Sequence, residues 1–204
     1  MKIEWEKRTI QSFVEPQRTV VNALNLQPES IVLDYGAGRG RFTLPIAKKL
    51  DELAGDGIVF AVDRRSIPLR HLDHRAVHQD LDHRIRILPL AARPKLHLPF
   101  KSAAVDRLVT VDEELQAYEI LTMLGELERV LKPGGLLLAG RTSGAVHREN
   151  AAPRIETEAA VDTLGAAGFQ DVTILRPKGI VWAIAARKRR RRLSLRAPYG
   201  RKIP

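Results

Sequence analysis

Apolar residues arrive along this chain in two rhythms. Short runs rich in Val, Ile and Leu recur at 31–35 (IVLDY), 57–63 (GIVFAVD), 84–88 (RIRIL), 105–111 (VDRLVTV) and 136–140 (LLLAG), and read as buried strands. Between them, at 41–53, 66–82 and 114–131, apolar positions fall three and four apart, the spacing that gathers them on one helix face. Strand and helix in alternation predict an α/β fold with a parallel sheet covered on both sides. After the fifth strand the pattern changes. A helix over about 156–167 ends at Gly168, and FQDVTIL and IVWAIAARK, joined by Pro-Lys-Gly, predict a closing antiparallel hairpin. RTVVNALNL (18–26) predicts a short helix ahead of the first strand, stopped by Pro28.

The 204 residues, 44% of them hydrophobic, suffice for one well-buried domain. MKIEWEKRTIQ is charged and lacks the apolar stretch of a signal peptide, and no run approaches the roughly 18 apolar residues of a membrane helix. The expectation is a cytoplasmic protein with no membrane span. With no cysteine, disulfides, thiolate metal sites and cysteine nucleophiles are excluded. The formal net charge of +10 is unevenly placed. Nine basic residues (Arg187, Lys188, Arg189, Arg190, Arg191, Arg192, Arg196, Arg201 and Lys202) and no acid lie from 187 onward, which leaves the rest of the chain nearly neutral. The expected division is a domain over 1–187, opening with a helical segment at 1–29, and a basic tail over 188–204.

Chemistry concentrates at VLDYGAGRGRF. Gly36, Gly38 and Gly40 follow a predicted strand and open a predicted helix, where the lack of Cβ atoms lets backbone turn sharply and lie against a ligand. A dinucleotide fingerprint needs its third glycine at 41, where Arg41 stands, and the Gly-Lys-Ser/Thr of a phosphate loop is absent. Asp34, just before the turn, repels a pyrophosphate and suits a ligand with a cationic amine. Asp63 closes the second strand, where a carboxylate can accept from both hydroxyls of a ribose. The plainer alternatives are a strand-to-helix turn and a helix cap.

With these residues in place, the chain resembles the class I S-adenosylmethionine-dependent methyltransferases, in the small-molecule branch that includes ubiquinone/menaquinone-type enzymes. VLDYGAGRGRF looks like their first motif, VFAVD their second, ELERVLKPGGLLLAG their helix, turn and fifth strand, LPFKSAAVDRLVTVDE their fourth strand with its loop, and GFQDVTILRPKGIVWAIAARK their terminal hairpin. The likeness runs over roughly 18–187. It implies a doubly wound, mostly parallel seven-stranded sheet of Rossmann-like methyltransferase type, its last strand antiparallel, with S-adenosylmethionine at the carboxyl ends of the strands. Carried over, it puts Asp34, Gly36, Gly38 and Gly40 around the methionine part, Asp63 on the ribose, and Asp112 or Glu113 near the sulfonium.

The likeness departs at the third strand, where the family usually has an acid for the adenine amino group. Nothing between Asp82 and Asp106 is acidic, while Arg84, Arg86, Arg93, Lys95 and Lys101 are basic. The expected result is a weakened or altered adenine contact, with a backbone carbonyl as acceptor; the alternatives, if Arg93 or Lys95 faces the pocket, are a ligand with an acidic group or a cofactor site fallen out of use. For the acceptor side the candidates are Glu113, Glu114 and Tyr118 after strand 4, and Arg141, Thr142 and His147 after strand 5, His147 being a candidate general base. His71, His74 and His78 share one helix side opposite Leu69, Leu72 and Ala76, so they are expected to face water, and no metal site is assigned. The leading expectation is a methyltransferase acting on a small molecule by direct in-line transfer. The alternatives are an RNA or protein methyltransferase recruited through the basic tail, whose arginines suit phosphates, and a non-catalytic binding protein of the same fold.

Overall fold

The two apolar rhythms fold as one sheet between helices in a computed structural model that describes residues 10–12, 16–91, 97–112, 117–142, 157–177 and 180–189. The strands are β1 (Ile10–Ser12), β2 (Ile31–Tyr35), β3 (Ile58–Asp63), β4 (Ile85–Pro89), β5 (Val105–Asp112), β6 (Leu131–Thr142), β7 (Phe169–Pro177) and β8 (Ile180–Lys188). The helices are α1 (Pro16–Ala23), α2 (Thr43–Glu52), α3 (Ser66–His78), α4 (Ala117–Val130) and α5 (Thr157–Ala166). Across the sheet the order is β1-β7-β8-β6-β5-β2-β3-β4. Strand β8 runs antiparallel to β6 and β7, and the other pairings are parallel. The seven expected strands and the terminal hairpin are present, and β1 adds a short further strand along β7.

Alternation along each strand divides the core. Val32, Val59, Ala61, Val109 and Leu138 pack under α1, α2 and α3, and Leu33, Val62, Leu108, Leu137 and Ala186 pack with α4 and α5 on the other face. From β2 the chain winds outward through β3 and β4, then returns to the other side of β2 for β5. Such a reversal opens a crevice at the strands' carboxyl ends, the place where open α/β sheets bind ligands.

Three boundaries differ from the sequence expectation. The helix expected over 66–82 stops at His78, because Asp80 adopts a left-handed φ of 55° and the Leu81 amide donates to the Ala76 carbonyl at 2.9 Å. A 3₁₀ turn, Asp82–Arg84, then leads into β4. The expected helical segment at 1–29 contains a strand as well as α1. The expected tail over 188–204 begins inside the sheet. Lys188 pairs with Phe169, and its Nζ donates to the carbonyls of Glu128 (2.7 Å) and Leu131 (2.8 Å) at the end of α4, where a cation offsets the helix dipole. The Arg189 amide donates to the Gly168 carbonyl at 2.9 Å.

The loop before β5 is pinned to α4. Glu126 Oε1 accepts the Leu98 amide at 2.6 Å, Arg129 donates to the carbonyls of Phe100 (2.7 Å) and Leu98 (3.1 Å), and the two side chains pair at 2.7 Å. The Arg129 guanidinium, helped by the Leu98 amide, holds the Glu126 carboxyl below its ordinary value, and Glu126 in turn raises Arg129. A depressed carboxyl contributes stability above its ordinary pKa of 4.5 and loses it as the pH falls through the folded value. Glu126→Gln should therefore cost about 1 kcal/mol at pH 7 and flatten the acid limb of the stability curve. Urea titrations at pH 7 and across pH 5 to 3 check this; parallel wild-type and variant curves would refute it.

Candidate functional site

The carboxyl end of β2 runs straight into the glycine turn. Gly36, Gly38 and Gly40 have φ of 81°, 53° and 83°, a region that side-chain-bearing residues enter at a cost. The turn is tied to β3: the amides of Gly36 and Ala37 donate to the Val62 carbonyl at 2.8 and 3.1 Å, and the Gly38 amide donates to Asp63 Oδ2 at 2.9 Å. It closes into α2, where the Leu44 amide donates to the Gly40 carbonyl at 3.2 Å.

The glycines serve different ends. A Cβ on Gly40 would stand 2.3 Å from Leu72 Cδ1 of α3, so this position is set by helix packing. A Cβ on Gly38 would meet nothing closer than 3.9 Å; its neighbours are the Gly36 carbonyl, the Arg65 guanidinium and the Asp63 carboxylate. Backbone without a side chain thus lies beside a buried acid, with room for a Cβ at ordinary contact distance. Asp63 is 5% exposed. Its Oδ1 accepts the Arg65 amide at 2.8 Å and Arg65 Nε at 3.3 Å, and its main-chain carbonyl accepts the Leu90 amide at 2.9 Å. A carboxylate has about four lone-pair sites. The Nε contact comes from a side chain 52% exposed, which can yield to a competing hydroxyl.

Asp34 lies on the helix-packed side, 2% exposed, with Oδ2 accepting the Thr43 hydroxyl at 2.6 Å. It fixes the first residue of α2 beneath the turn. Thr43 and Arg65, which bond Asp34 and Asp63, are candidate residues that the sequence reading did not name. Each stands at the start of a helix following a glycine-turn or strand-end acid, and that adjacency was the available signal. Asp112 ends β5, level with Arg141 of β6, and Thr142 ends β6; Tyr118 lies in the first turn of α4. Glu113, Glu114 and His147, with the basic Arg93 and Lys95, lie outside the described residues. On the adenine side the described chain beyond β4 is Leu90 and Ala91, neither acidic.

Sheet order, switch point and glycine turn define a Rossmann-like α/β protein. Residues 32–135 match the methyltransferase domain family, and the chain belongs to it. It is 32% identical over 121 residues to a demethylmenaquinone methyltransferase of Lactiplantibacillus plantarum, covering 59% of this chain and 48% of that protein. It is 25% identical over 126 residues to a sterol 24-C-methyltransferase of Schizosaccharomyces pombe, covering 62% of this chain and 31% of that protein. The chain thus spans half or less of the length of these curated relatives. In fold it is similar to the crystal structure of an S-adenosylmethionine-dependent methyltransferase from Aquifex aeolicus, with a TM-score of 0.62 at 21% identity over 84% of this chain and 88% of that one.

Proposed function

We propose that this protein transfers a methyl group from S-adenosylmethionine to a small-molecule acceptor in the cytoplasm. The observation that carries this reading is the side-chain-free backbone of Gly38 at the carboxyl end of the strands, its amide bonded to the buried Asp63 carboxylate. In that site Asp63 takes the ribose hydroxyls, Gly36 and Gly38 let the methionine part approach the backbone, and Asp34 supplies negative charge beneath the turn. Asp112 stands at the sulfonium end, and Glu113, Tyr118 and His147 serve the acceptor side. When bound, the cofactor supplies a methyl group on a cationic sulfur, which becomes neutral as the group leaves. The protein's share is to hold the acceptor in line, and positioning alone can contribute much of such a rate.

Two points favour a small acceptor. Both curated relatives are named for one, a sterol and demethylmenaquinone. The basic run also follows a strand that ends on the side of the sheet away from the glycine turn: β8 is antiparallel, and Arg187 pairs with Leu136 near the amino ends of the parallel strands. A nucleic acid gripped there starts far from the site, so the run from 190 onward is read as an appendage to the domain. Among the described residues no helix is long and apolar enough to cross a membrane.

Calorimetry tests the reading. Wild-type protein should bind S-adenosylmethionine, and Asp63→Asn, which keeps the shape but loses the charge, should weaken binding about 10-fold or more. No heat at millimolar ligand would overturn the proposal. Cofactor binding without methyl transfer to any small-molecule acceptor would favour the non-catalytic alternative.

A further inference from the structure

The histidines of α3 do more than face water. Leu69, Leu72 and Ala76 turn into the core, while His74 and His78, one turn apart on the exposed side, bring their Nε2 atoms to 3.0 Å. Their ring centroids are 4.2 Å apart. A hydrogen bond between two imidazole nitrogens requires one to donate its N–H and the other to present its lone pair. Two converging imidazole nitrogens on a helix are also a chelate.

We propose that His74 and His78 form a two-nitrogen site for a divalent copper or nickel ion. The separation favours a tetragonal ion. With bonds of about 2.0–2.1 Å, nitrogens this far apart subtend about 91–97° at an ion, close to the angle between neighbouring positions of a tetragonal centre, whereas a tetrahedral zinc needs about 3.3–3.4 Å. Among the described residues no set of three or more ligating side chains gathers, so the remaining positions take water. This suits copper and nickel better than a four-ligand structural zinc. Both rings would ligate through Nε2 with their N–H on Nδ1, so the ring that donates in the metal-free pair moves its proton to its own Nδ1 as the ion enters.

The site would bear on the rest of the molecule through α3. Leu72 of that helix lies under Gly40, and Arg75 Nη1 donates to the Arg39 carbonyl of the glycine turn at 2.8 Å. An ion clasping the last turn of α3 stabilises the helix that supports the turn, because binding to the folded state alone raises stability by mass action.

Copper titration of the metal-stripped full chain in a non-chelating buffer tests this, with calorimetry, electron paramagnetic resonance and thermal melting as readouts. Wild type should bind one ion with a two-nitrogen signature and melt roughly 3–5 °C higher in excess copper. His74→Ala and His78→Ala should each weaken binding at least 10-fold and abolish the melting shift, and His71→Ala should stay within twofold of wild type. Nickel should bind the same pair more weakly than copper. Unchanged affinity in His74→Ala or His78→Ala, an equal loss in His71→Ala, or zinc binding tighter than copper would overturn the proposal.

Discussion

Gly40→Ala should destabilise the protein by about 2–4 kcal/mol, lowering the melting temperature by roughly 5–15 °C. Two costs combine. The residue's φ of 83° lies where any side chain is strained. Its new methyl would also stand 2.3 Å from Leu72 Cδ1, deep among buried residues of α2 and α3 that have little room to shift. The Gly40 backbone accepts the Leu44 amide and donates to the Ala37 carbonyl at 2.8 Å, so any shift also loosens the start of α2. Leu72→Ala leaves a cavity and costs stability by itself. In the double variant the new methyl would find that cavity, so Gly40→Ala/Leu72→Ala should lose at least 1 kcal/mol less than the two single changes summed. Urea unfolding of the four proteins measures this. A Gly40→Ala protein within 0.5 kcal/mol of wild type, taken as roughly experimental scatter, would refute the packing role.

That role shows where the sequence speaks and where it stops. Strand β2 was readable to the residue because IVLDY is a dense apolar run between Ser30 and Gly36. So was the switch from helical to strand rhythm at Gly168. Strand β1 was not: Ile10–Ser12 is too short to show a period, and its pairing depends on β7, far along the chain. The end of α3 was missed because apolar spacing continues to Leu81, while the left-handed Asp80 stops the helix. In the site, the acids and glycines were legible as residue types at fixed offsets from a strand. Their division of labour was not, because it depends on partners distant in sequence. Leu72 decides Gly40, Thr43 engages Asp34, and Arg65 covers Asp63. The shared side of His74 and His78 was likewise plain from spacing, but their mutual contact was not.

Gly38→Ala should give the opposite result to Gly40→Ala: a folded protein that has lost S-adenosylmethionine. Its φ of 53° is the left-handed helical region, which alanine enters for about 1–2 kcal/mol, and no neighbouring atom lies within 3.9 Å of the added carbon. The methyl would stand 4.0 Å from Asp63 Oδ2, where the proposed site brings a ligand's ribose and methionine chain, so affinity should fall about 100-fold or more, near 3 kcal/mol. The Gly38 amide keeps its bond to Asp63 Oδ2, so the effect is steric and leaves the carboxylate in place. Calorimetry beside a urea melt separates the two quantities. Binding within threefold of wild type by a folded Gly38→Ala protein would show that the cofactor lies elsewhere along the crevice. A parallel loss in Gly38→Ala and Asp63→Asn, with Gly40→Ala unstable by contrast, would fix the nucleoside between the glycine turn and the end of β3.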